Sequence, residues 1–91
     1  MDVNDIIADL VSKAEGKTIT EMAELVRAYD ADDRYCISHR LQCGNTSRSI
    51  ATAILIRREF DECERQHPDK EIDTIYEQGD RIICSIKDKK M

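Results

Sequence analysis

The stretch SRSIATAILIRREFDECERQ, residues 47 to 66, limits what this chain can fold into more than any other part of it. Thr46 or Ser47 is placed to cap a helix and His67-Pro68 to stop one, so the pattern predicts a single long helix. In its first half Ile50, Ala51, Ala53, Ile54, Leu55 and Ile56 cover more than one face. A helix that is apolar almost all round has to be buried on two sides. A sheet is expected on one side, and a second subunit is the candidate for the other.

The remaining segments supply the rest of an α+β domain. In VNDIIADLVSKAEG the apolar residues Val3, Ile6, Ile7, Leu10, Val11 and Ala14 recur every three or four positions, which predicts an amphipathic helix capped by Asp2 or Asn4 and ended by Gly16. KTITEMAELVRAYDADD places Thr18 three residues before Glu21, a capping box, and sets Met22, Ala23, Leu25, Val26 and Tyr29 on one side of a second helix. Between them and the long helix, RYCISHRLQC alternates Tyr35, Ile37, His39, Leu41 and Cys43 with more polar neighbours and reads as a strand broken by Gly44. EIDTIYEQ and RIICSIK flank Gly79-Asp80 as a β-hairpin. The expected order is helix, helix, strand, helix, strand, strand: one domain over residues 1–91, with a three-stranded sheet covered by helices.

Charge is unevenly placed along the chain. Residues 34 to 58 hold five arginines and no acid, whereas residues 1 to 33 hold nine acids against three bases, and residues 59 to 80 nine acids against two. The whole chain carries a net charge of -5. Such a balance opposes bulk coating of nucleic acid, which requires many phosphates to be neutralised at once. It leaves room for one local cationic face. The acidic start MDVNDIIADLVSK lacks a leader's cationic region, and no apolar run approaches the roughly 20 residues of a membrane span. The expectation is a cytoplasmic or nuclear protein without membrane contact, its cysteines Cys36, Cys43, Cys63 and Cys84 reduced.

Catalytic chemistry finds little material. No nucleophile has a recognisable base beside it, and the lone Gly44 is no phosphate loop. Cys36 and His39 point to opposite faces of a strand. Cys63 and His67 stand at helical i and i+4, a spacing that suits two metal ligands, but Pro68 ends the helix there. A non-enzymatic binding protein with no cofactor and no metal is expected.

The acid-free segment is the first candidate for binding. A strand that ends at Gly44 and feeds a helix at Asn45-Thr46-Ser47 presents free backbone N–H groups and the positive end of a helix dipole, which attract phosphate. Arg48 in the first turn opposes that dipole, as a cation placed to meet an anion would. Arg34 and Arg40 on the strand, with Arg57 and Arg58 further along, extend the patch. Internal pairing of Arg40 and Arg48 with the surplus acids is the plainer alternative.

CGNTSRSIATAILIRREF, residues 43 to 60, resembles a segment of Alba-type proteins, including the Alba-like subunits of RNase P. Ser47, Arg48, Ile50, Leu55, Ile56, Arg57 and Phe60 stand at matching positions after one gap beside Asn45. AEGKTITEM, residues 14 to 22, is similar to the stretch where that family carries a basic residue before its first helix; Lys17 would then touch nucleic acid. The resemblance implies a dimer, formed with a like or unlike subunit, that binds DNA or RNA with its loops and basic helix start. This chain departs from the family where residues 3 to 14 have helical rather than strand spacing, and where Asn45 replaces the usual basic residue.

Two functions lead, ahead of a redox or zinc module built on the cysteines. One is nucleic-acid binding through Lys17, Arg34, Arg40, Asn45, Ser47, Arg48 and Arg57. The other is an acidic regulator or inhibitor whose Glu59, Asp61, Glu62 and Glu64 meet a basic protein or imitate a row of phosphates.

Overall fold

The computed structural model describes residues 2–32 and 46–89, and each of its helices begins at a residue whose side chain caps it. Helix α1, Val3–Ser12, starts where the Asp2 carboxylate accepts the N–H of Asn4 at 3.2 Å. Gly16, at a φ of 74°, supplies the left-handed residue that turns the chain out of it. Helix α2, Ile19–Ala31, carries the expected capping box: Thr18 Oγ1 accepts from Glu21 N at 3.1 Å, and Glu21 Oε1 from Thr18 N at 3.0 Å. Helix α3, Ser47–Gln66, is capped by Thr46, whose side chain accepts from Ser49 N, and ends at His67. Strands β1, Lys70–Gln78, and β2, Arg81–Asp88, form an antiparallel hairpin.

The α+β class therefore follows the sequence pattern, realised among the described residues as three helices and a two-stranded antiparallel sheet. The strand expected over residues 35–43, third of the anticipated sheet, lies outside them, and among the described residues the sheet is the two-stranded hairpin alone. The helical spacing of residues 3 to 14 is realised as α1.

The long helix is the centre of the molecule, since α1, α2 and both strands all pack on it. Its residues Ile50, Ala51, Ile54 and Leu55 join Ile6, Leu10 and Ala14 from the α1 segment and Ile19, Met22, Ala23 and Val26 from α2 in one buried cluster. Burial of this apolar surface is the main favourable term in folding. Ile82 of the hairpin packs against the same cluster from another side. The two-sided burial demanded by the helix is thus met by helices on one side and the hairpin on the other. A flank remains open: Ala53 is exposed, and Phe60 keeps 50 % of its surface accessible.

A polar tie joins α1 to α2 at the cluster's edge. Tyr29, nearly buried, donates its hydroxyl to the Asp9 carboxylate and accepts from Lys13 Nζ, which also pairs with Asp9 at 3.2 Å and lies over the Tyr29 ring. Hydrogen bonding to Tyr29 first, and to Lys13 next, holds the Asp9 carboxyl below its ordinary range.

One irregularity in the hairpin decides which of its side chains face the helix. Ile75 pairs with Cys84 and Glu77 with Ile82 on the face turned to α3, while Tyr76 with Ile83 and Thr74 with Ser85 face away. A β-bulge between Ile72 and Thr74 adds one residue to β1 and reverses its alternation. Ile72, opposite Ile86, is thereby brought onto the α3 face instead of the outer one.

Truncating a fully buried side chain should cost far more than truncating the half-exposed aromatic ring. Leu10→Ala is expected to lower unfolding free energy by about 2–5 kcal/mol, and Phe60→Ala by under about 1 kcal/mol. Urea titration followed by circular dichroism reads both.

Candidate interaction surface

Gly79 and Asp80, the two residues of the hairpin turn, have φ values of 58° and 61°, as a tight turn matching strand twist requires. Aspartate tolerates this conformation better than most side chains. Here its carboxylate is also used. Asp80 O accepts from Ile19 N at 2.7 Å and its Oδ2 from Thr20 N at 3.2 Å, so the turn satisfies N–H groups in the first turn of α2. Its other oxygen accepts from Arg48 Nη1 at 3.2 Å, and Arg48 Nη2 reaches Glu77 Oε1 at 2.5 Å. Arg81 adds a 3.4 Å contact to Gly16 O. The hydrogen bonding at Thr20, and after it the Arg48 guanidinium, hold Asp80 below the usual carboxylate range. Glu77 first, then Asp80, raise Arg48 above its usual value.

The sequence offers Arg48 to an external anion. In the fold it is engaged by two carboxylates of its own chain, the plainer of the two sequence readings. Arg57 lies 4.0 Å from Asp61, and Arg58 lies 4.0 Å from Glu15 and 3.7 Å from Glu59. Nine positions separate Arg48 from Arg57, about two and a half helical turns, so they leave α3 on opposite sides. Arg48 faces the hairpin. Arg57 and Asp61 line a groove with Asn4, Ile7, Ala8 and Val11 of α1. Lys17, half-buried, sits in the α1–α2 connection, and Ser47, also half-buried, opens α3. Arg34, Arg40 and Asn45 lie outside the described residues. Arg48 and Arg57 are therefore not gathered onto one face.

The acids divide differently. Glu59 and Glu62 both turn toward the hairpin and line a groove of about 320 Å³ with Cys63, Gln66, Ile72, Cys84 and Ile86. Asp61 stands on the α1 side with Arg57, and Glu64 is exposed. Glu62 is held by Arg65 and Gln66 of α3's last turn, whereas Glu59 accepts from the Cys84 thiol at 3.2 Å. Burial first, and that carboxylate next, push the Cys84 thiol up to about 11. Cys63 and Cys84 are free thiols.

His67 lies past the end of α3 at a φ of -136°, its N–H donating to Cys63 O at 2.8 Å. That N–H bond is the last i to i−4 bond of the helix, and Cys63 and His67 both line the groove beside the hairpin. Among the described residues no three metal-ligating side chains converge, and no helix is long and apolar enough to cross a membrane.

Glu77 and Asp80, which engage Arg48, and Ile72 and Ile86, which line the groove, belong to the candidate surface and were not assigned to it from the sequence. A signal existed for Ile72, because Ile72 and Ile75 are three apart in a strand whose side chains alternate every two, which marks a bulge. Comparison with known proteins returned no match: no family model, no curated protein and no solved structure matches the chain.

Two measurements check this geometry. Asp80→Asn should lower the urea midpoint at pH 7. A carboxylate held below its ordinary value stabilises the fold above about pH 4 and ceases to as pH falls through the folded value, so the difference from wild type should shrink toward pH 2.5. Cys84 should alkylate slowly: with a thiol near 11, iodoacetamide labelling at pH 8 is expected to be at least about tenfold slower in the native protein than in urea, read by peptide-resolved mass spectrometry.

Proposed function

We propose that this chain is a non-enzymatic protein-binding module, an adaptor or inhibitor, whose acidic α3 C-terminal half and adjoining strand β1 meet a basic protein partner. The observation that supports this most is the fate of the charges. Arg48, the cation best placed for an external phosphate, is taken by Glu77 and Asp80. The segment from residue 59 to residue 73 holds seven carboxylates and, as fixed cations, Arg65 and Lys70. Those two are engaged locally, Arg65 on Glu62 at 2.5 Å and Lys70 on Asp88 at 2.6 Å. Cations from outside the segment approach loosely: Arg57 and Arg58 stand 4.0 and 3.7 Å from Asp61 and Glu59, and Lys87 stands 3.9 and 3.5 Å from Glu71 and Asp73. The surplus carboxylates form a negative field that attracts a positively charged surface and speeds its encounter.

Nucleic-acid binding, as the Alba-like resemblance implies, stands as the second reading because the acid-free run of residues 34 to 58 favours it. The two readings separate on the sign of the ligand. Immobilised protein should recover basic proteins from nuclease-treated extract, and a Glu59→Gln/Glu62→Gln variant should recover them at least about fivefold less well. A mobility shift of mixed RNA and DNA at about 50 mM salt that vanishes at physiological salt would instead support phosphate binding.

A further inference from the structure

We infer that the groove between α3 and the hairpin is a docking slot for a short segment of a partner protein, one apolar anchor side chain flanked by lysine or arginine. This inference rests on the acidic-partner reading and gives it a place. The slot arises because the hairpin is pinned to the helices at its turn and is covered less and less toward its open end. Ile82 is packed on the core, Cys84 is half-buried, and Ile86 keeps 39 % of its surface exposed although it points to the helix side. Opposite Ile86 the helix offers Glu59, Glu62 and Cys63, side chains that are charged or small and do not fill the space.

The floor is apolar. Ile72 and Ile86, cross-strand partners brought to one face by the bulge, lie there with the two thiols, and the raised Cys84 thiol stays uncharged at neutral pH. The walls carry Glu59 and Glu62 among the polar residues Gln66, His67 and Ser85. Glu59 and Glu62 are half-buried at 27 % and 26 % exposure and stand at the lip, Glu59 beside Arg58 and the Cys84 thiol and Glu62 beside Arg65 and Gln66, so a flanking cation of the partner would join or displace those contacts. About 320 Å³ is at the low end of the roughly 300–1,000 Å³ of ligand sites. That volume suits an anchor of one or two side chains, not a folded surface. An apolar anchor in a desolvated pocket with a charged rim is how short-segment interfaces concentrate their binding.

The test is selection of a random-peptide phage library on the wild-type protein, followed by titration of the best synthetic peptide against two variants. Enriched peptides should carry a leucine, isoleucine or methionine between lysines or arginines. Ile86→Lys should weaken binding by about tenfold or more, whereas Ile83→Lys, the same change on the outer face of the same strand, should leave it within about twofold. Circular dichroism of both variants separates unfolding from lost binding, and Ile86→Ser repeats the measurement without an added charge. Basic peptides that lack an anchor and ignore Ile86→Lys and Ile86→Ser would overturn the slot while leaving the acidic-partner reading intact. Enrichment of acidic peptides, or of none, would overturn both.

Discussion

The placement of the hairpin on the helices turns on the carboxylate of Asp80. It sits in a two-residue turn that any glycine-tolerant sequence could make, yet it reaches across to the first turn of α2 and to the guanidinium of Arg48 on α3. Helices begin with N–H groups that have no partner within the helix, and a buried or half-buried start needs an acceptor from elsewhere. Thr18 satisfies one of these in α2; Asp80 satisfies two more, one with its backbone and one with its side chain. Three elements distant in sequence are held at one point.

The rest of the hairpin's placement is set by that anchor. Two isolated strands are marginal in water and need a surface to pack on. At the turn end the surface is the buried cluster, through Ile82. Toward the open end α3 has become polar, with Glu59, Glu62 and Gln66 where its first half has Ala51, Ile54 and Leu55. The change in composition along one helix turns a packed contact into a groove. Its walls carry charge because the residues that fail to fill it are glutamates.

The same helix sets Arg48 and Arg57 apart. A run of arginines in sequence becomes a spiral on a helix, and side chains nine positions apart emerge on opposite sides. Arg48 then finds the carboxylates of the hairpin and Arg57 finds Asp61. An acidic chain pairs off cations of its own basic segment wherever folding brings a carboxylate within reach, as at Arg48 and Arg57.

Local chemistry in the sequence determined the helices, their caps and the hairpin. Thr18 with Glu21, Thr46 before an apolar run, His67-Pro68 and Gly79-Asp80 each act within a few residues, and propensity and capping are short-range effects. The two-sided apolar face of residues 50 to 56 likewise announced a central helix. Tertiary structure alone decided which charges meet and where space is left. The partners of Arg48 lie 29 and 32 positions away, and Ile86 faces Ile72 only because a bulge resets the register. Nothing in the periodicity of either segment specifies such distant pairing, since it is set by how completely each face of α3 can be covered once the turn is anchored.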